Sequence, residues 1–360
     1  MKKSSPFFLT IILAIIFGFL AGLAGFIILS VNSFKLPLIG QVLFTDFGGN
    51  RQVVIDQPRN VVIKQDEQIS QIENSLLPAL LNIYHPLSGA TALLQAYATD
   101  DILGQGFTLT ADGWFVAPVQ AVANLKDKYT IIGYQNKKYL ADKFVADKTM
   151  GVVFGKFDAS NLPVAKIGKS RDLTTGQTVV LISERTKIEI THIKKIGYDF
   201  PTANSLILNS DRPQKEIFLD LPLTSNHNGA VLADLKGEII GLVAGGKVIP
   251  VDYFSNIVPQ ILNSQTISRP ALGVSYLDLA QVEGLIDKGD KGALVVAEPL
   301  KSSAAFGQVK NGDIIKKVND SELNVYRGLA EVINDYKTGD TVELTIKRQD
   351  QDLSVKVVLK

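Results

Sequence analysis

Cysteine is absent from the 360 residues. That excludes disulfides, a thiol nucleophile and zinc sites built on thiolates. Histidine is nearly as scarce. Only His85, His192 and His227 are available as an imidazole base or a metal ligand. The formal net charge is +1 and no basic cluster stands out, so nothing favours a nucleic-acid partner. What the chain does have is apolar material. Hydrophobic residues make up 46% of it, and 360 residues suffice for two or three domains at roughly 100–200 residues each.

Charge is also missing from the whole of Pro6 to Val31. This run exceeds the ~20 residues that span a bilayer. A cleaved signal peptide has an apolar core of only ~7–15 residues, so the length favours an uncleaved anchor. We read residues 1–32 as a cytoplasmic stub and transmembrane helix. Lys2 and Lys3 hold the N-terminus inside and leave the bulk of the chain extracytoplasmic. Residues 33–60 lose periodicity and gather Gly, Asp, Pro and Arg, the composition of a tether.

From Val61 the pattern changes. Ile69, Ile72, Leu76, Leu77 and Leu80 share one face of an amphipathic helix. Short apolar runs separated by turn residues then follow. Ala111-Asp112-Gly113 divides the two runs of Gly104 to Val122, and Asp234–Gly237 divides those of Ala230 to Val243; both read as hairpins.

Taken together, these stretches resemble the HtrA/Deg family of trypsin-fold serine proteases. Gly104, Gly106, Phe107, Asp112, Gly113 and Val122 match its G-S-G-F…D-G…H-V-V string. Asp147, Lys156, Asp158, Leu162, Pro163, Ala165, Gly168 and Ser170 match the stretch around its aspartate. Asp220 and Gly229 match its nucleophile loop, and Val248–Leu262 matches its closing strand and helix. The resemblance implies a trypsin-like double β-barrel over residues 61–264. On this alignment the Ser-His-Asp columns hold Gln120, Gly151 (Met150 if the register slips by one) and Asn228. An amide is neither a base nor a useful nucleophile near neutral pH, and glycine offers no carboxylate. The alignment therefore predicts a homologue that is not an enzyme; the rival reading is an active HtrA-type serine endopeptidase. Ser225, His227 and Asp220 share the nucleophile loop, but a serine and histidine two apart would need an unusual fold-back. One histidine is too few ligands for a strong metal site, and no cofactor is expected.

Residues 268–360 resemble the PDZ domain of the same family. Leu272-Gly273-Val274 stands at its apolar-Gly-apolar loop, and Asn311-Gly312-Asp313-Ile314-Ile315 matches a later string. Successive backbone N–H groups in such a turn make a nest for a carboxylate. The resemblance implies that an extended peptide adds beside Val274–Leu277, with its last side chain in a pocket of Leu272, Val274, Leu329 and Ile333. Val325, Leu329, Val332, Ile333 and Tyr336 repeat at helical spacing, with Asn324 as candidate N-cap. The fold class expected is mainly β: anchor helix, double barrel and α+β PDZ domain. The expected partners are protein or peptide C-termini and unfolded proteins, the membrane through the N-terminal helix, and HtrA relatives in a homo- or hetero-trimer. The expected role is adaptor, chaperone or regulator in protein quality control. A vestigial PDZ pocket on a structural subunit is the third reading.

Overall fold

The computed structural model describes residues 13–23, 65–89, 94–284 and 291–360. Residues 13–23 form an exposed helix. Among the described residues no helix is long and apolar enough to cross a membrane. The expected transmembrane helix is therefore not supported. Its flanks, residues 6–12 and 24–31, lie outside the described residues, as does the tether at 33–60.

Helix α1 (Gln65–Leu76) buries Ile72 and Leu76 as the periodicity requires. The same face does not extend to Leu80, as the spacing predicts. A 3-10 turn, Leu77–Ala79, intervenes and Leu80 opens a strand. Pro78 has no N–H for a helical bond and disfavours helical backbone at Leu77.

The first barrel closes through β1 (Leu80–Tyr84), β2 (Gly104–Thr108), β3 (Trp114–Pro118), β4 (Tyr129–Ile132), β5 (Lys138–Asp147) and β6 (Val152–Phe157). Strand β3 is buried on both faces. Alternation explains why: Phe115 and Ala117 point into the barrel, while Trp114 and Val116 join the core shared with the second barrel.

The second barrel follows the same logic. It comprises β7 (Thr178–Ser183), β8 (Lys187–Gly197), β10 (Glu216–Leu219), β11 (Val231–Ala233), β12 (Ile239–Ala244) and β13 (Lys247–Pro250). Val179 and Leu181 fill its interior; Val180 and Ile182 face the shared core. Gly237, at φ +78°, makes the turn between β11 and β12. Between β8 and β10 the chain leaves the barrel to form β9 (Leu208–Asn209). Short helices α2 (Asp252–Ser255) and α3 (Val258–Ser264) close the domain.

The third unit is a sheet of β14 (Ser275–Asp278), β15 (Ala293–Val295), β16 (Ile314–Val318), β17 (Ser321–Glu322), β18 (Thr341–Arg348) and β19 (Gln351–Val358), with α4 (Leu329–Ile333) packed on it. Its strand order is β19-β18-β16-β15-β14-β9, so one strand comes from the second barrel. Helix α4 is shorter than its spacing predicts. Gly328, not Asn324, is the N-cap, and the Glu331 carboxylate accepts the Gly328 N–H at 2.8 Å. Asn324 instead caps a preceding turn through Tyr326 N and Arg327 N, leaving Val325 exposed.

Candidate functional site

Two regions concentrate chemistry. The first is the loop between β10 and β11. Thr224 and Ser225 are exposed, while His227 is 5% exposed beneath them. The Thr224 N–H donates to His227 Nδ1 at 2.9 Å, which makes Nδ1 the acceptor nitrogen. Nε2 then carries the proton and donates to Glu189 Oε2 on β8 at 3.1 Å. Thr224 Oγ1 stands 3.0 Å from the same Nδ1. Hydroxyl, imidazole and carboxylate therefore line up, although the Nδ1 lone pair is shared with the Thr224 N–H. Sequence spacing could not reveal this, because Glu189 is supplied by a different strand.

Asp220, matched to the family aspartate, does not join this group. It accepts from the Thr191 hydroxyl and from His192 N at 3.0 Å, and it faces His192 Nδ1 at 3.0 Å. These bonds, the Thr191 hydroxyl first and then the His192 N–H, hold its carboxyl well below the usual range.

The three aligned columns lie near one another: the Val119 N–H donates to Gly151 O at 2.9 Å, and a Cβ at Gly104 would lie 2.7 Å from Ala121 Cβ and 3.0 Å from Asn228 Nδ2. Gln120 and Gly151 line a cavity of about 570 Å³ with Val119, Met150, Ala244 and Gly245. Asn228 lines a separate cavity of about 200 Å³ with Gly104, Gln105, Ser225 and Asn226. Asn228 ties the barrels together: its Nδ2 donates to Leu103 O at 3.1 Å, and its carbonyl accepts the Gln105 N–H at 3.1 Å. Gly229 stands at φ +85°, and a Cβ there would lie 2.2 Å from Gln105 O, so glycine is required. Among the described residues no group of three or more His, Asp or Glu could hold a metal ion.

The second region is the loop before β14. Gly273, at φ +78°, turns the backbone so that the N–H groups of Leu272 and Gly273 converge. Both donate to one oxygen, Asp211 Oδ1, each at 2.8 Å. The Val274 N–H donates to Ser210 Oγ at 2.9 Å, and Val274 O accepts the Ser210 N–H at 2.9 Å. The β14 edge expected to receive a peptide is already paired with β9, Ser275 opposite Asn209 and Tyr276 opposite Leu208. Leu272, Val274, Leu329 and Ile333 are each at most 1% exposed and pack in one core with Leu208. Leu208, Ser210 and Asp211 escaped the sequence reading. The only trace of them is an apolar run ending in Ser-Asp, which is common in any strand end.

A charged cluster joins the residue before β10 to helix α4. Lys215 is 3% exposed and pairs with Glu331 at 3.3 Å. Glu331 also accepts from the Tyr253 hydroxyl at 3.1 Å.

The PDZ domain family matches residues 270–359. A probable periplasmic serine endoprotease, DegP-like, from Pseudomonas fluorescens is 28% identical over 277 residues, covering 70% of this chain and 56% of that protein. A serine protease, Do-like HtrA, from Lactobacillus helveticus is 27% identical over 240 residues, 59% of this chain and 57% of that one. The chain thus spans a little over half the length of these curated relatives. Among solved structures, the HtrA-type protease AlgW with a tripeptide has a TM-score of 0.58 at 18% identity, covering 81% of this chain and 97% of that one. AlgW with a decapeptide gives 0.55 at 17% identity, covering 81% and 98%.

The expectation that the chain is not an enzyme does not stand. The relatives it resembles are named a serine endoprotease and a serine protease. Residues 270–359 are a PDZ domain, and the chain carries the double-barrel-plus-PDZ fold and the sequence likeness of the HtrA/DegP family of serine proteases.

Proposed function

We propose that the chain is an HtrA-type serine endopeptidase of extracytoplasmic protein quality control, whose PDZ domain recognises protein C-termini. The observation that carries the recognition half is the pair of N–H groups of Leu272 and Gly273 converging on one carboxylate oxygen at 2.8 Å. A chain terminus presents the same oxygen chemistry, and strand addition beside β14 supplies the remaining backbone bonds.

The cleavage half is supported by the names of the relatives, one of them periplasmic. Acyl transfer needs a hydroxyl that can pass its proton to a base held by a carboxylate. Thr224 and Ser225 are the exposed hydroxyls of the loop, and His227 with Glu189 is the imidazole–carboxylate pair beside them.

Fluorophosphonate labelling and cleavage of an unfolded protein test this directly. The expected result is labelling that disappears in Thr224→Ala or in Ser225→Ala, identifying the nucleophile. Absence of both label and cleavage in the intact chain would sink the proteolytic half. Titration with peptides bearing free or amidated C-termini tests the recognition half separately.

A further inference from the structure

The PDZ groove is already liganded, by the chain itself. Residues Leu208 to Asp211 leave the second barrel and satisfy all three consecutive donors of the groove, the N–H groups of Leu272, Gly273 and Val274. They pair antiparallel with β14 at two positions. Leu208, 3% exposed, packs with Leu329 and Ile333 in the core against which an incoming apolar side chain would have to seat. The Asp211 side chain supplies the carboxylate, and the Ser210 hydroxyl donates to it at 2.7 Å. Strand, apolar side chain and carboxylate are each supplied by this segment. An internal sequence thus reproduces what a chain terminus would offer.

We propose that residues 208–211 are the resident ligand of the PDZ groove, and that a peptide with a free C-terminal carboxylate binds only by displacing them. The proposal rests on the recognition reading above. An intramolecular ligand competes at high effective concentration, so the apparent affinity for a free peptide falls by the fraction of chains whose groove is open. The segment's far end is pinned as well. Lys215 donates to Val325 O at 3.2 Å and pairs with Glu331, so displacement works against a buried charge contact next to β10.

The test uses the full chain as wild type, Asp211→Ala and the size-conserving Asp211→Asn. Amide hydrogen exchange at Leu272, Gly273 and Val274 reports whether the segment sits in the groove. Anisotropy of a dye-labelled decapeptide ending in leucine, with a free carboxylate or amidated, reports binding. Expected are exchange at those amides and affinity for the free-carboxylate peptide both raised by roughly tenfold or more in the variants, with the amidated peptide weak throughout. Equal exchange in wild type and both variants would overturn the resident ligand, whatever the peptide does. Equal peptide affinity in wild type and variants would overturn the competition while leaving recognition standing. Faster exchange in the variants with no binding of the free-carboxylate peptide to any of the proteins would defeat the recognition reading and, with it, the displacement.

Discussion

Arg269 lies against Asp147, an ion pair with side chains only 10% and 2% exposed. Arg269 Nε donates to Asp147 Oδ2 at 3.1 Å, its Nη1 to Asn334 Oδ1 at 2.7 Å, and its Nη2 to Tyr253 O at 2.8 Å. One guanidinium thus joins strand β5 of the first barrel, helix α2 after the second barrel and the residue following α4 in the PDZ domain. Only the planar fork of arginine can meet such a set of acceptors.

Arg269→Ala leaves the Asp147 carboxylate buried without its partner. The expected loss is about 3–5 kcal/mol of stability, because breaking one half of a buried pair costs far more than the pair contributes. Urea denaturation of Arg269→Ala, Asp147→Asn and the double variant reads it out. A double variant no better than Arg269→Ala alone would show that the unpaired carboxylate is not the cause.

Gly273→Ala puts a Cβ 2.4 Å from Ser303 Cβ and forces an alanine to φ +78°. The left-handed backbone alone costs on the order of 1–2 kcal/mol, and the clash adds to it. Thermal denaturation is expected to show the loss, and the amides of 272–274 should exchange faster. An unchanged melting temperature would mean the loop relaxes freely.

Leu208→Ala removes an apolar side chain that β9 buries in the PDZ core. A loss of about 2–3 kcal/mol is expected if the segment stays docked, since truncation leaves a cavity. A loss within about 0.5 kcal/mol, the range of a surface substitution, would indicate that the segment is not seated there.

The Asp278 carboxyl is pushed up by burial, with Lys215 partly opposing the shift. Its folded-state value therefore lies above the unfolded one. The stability it contributes is complete below the ordinary carboxylate range and is lost as pH rises through the raised value. Asp278→Asn keeps a neutral side chain at every pH. It should match wild type in acid and become the more stable protein toward neutrality, in melting curves taken from about pH 3 to about pH 8. A variant less stable than wild type at neutral pH would contradict the sign.

Much of the fold was legible because it depends on local pattern. Continuous apolar runs in Trp114–Pro118 and Thr178–Ser183 mark strands buried on both faces, Asp112-Gly113 marks the turn before β3, and Gly237 marks the turn between β11 and β12. Where the reading failed, a single local residue outweighed the periodicity: Pro78 ended the helix that was expected to reach Leu80, and Gly328 with Glu331 reset the start of α4. The expectation drawn from Gln120, Gly151 and Asn228 failed for a different reason. It set three aligned columns against the naming of the relatives as serine endoproteases and serine proteases, and the relatives speak for an enzyme.

Hydrophobic period and turn residues, which act within a few residues, marked the strands, while resemblance to the HtrA/Deg family implied the barrel-plus-PDZ order and the donor nest at Leu272–Val274. Only the tertiary structure decided what meets that nest. Asp211 is separated from Gly273 by most of the second barrel's C-terminal half, yet its carboxylate sits 2.8 Å from the Gly273 N–H. Glu189 is likewise brought to His227 by barrel closure. Contacts of this kind are fixed by how strands register and sheets close, and a short polar side chain leaves no periodic signal of the partner it will find.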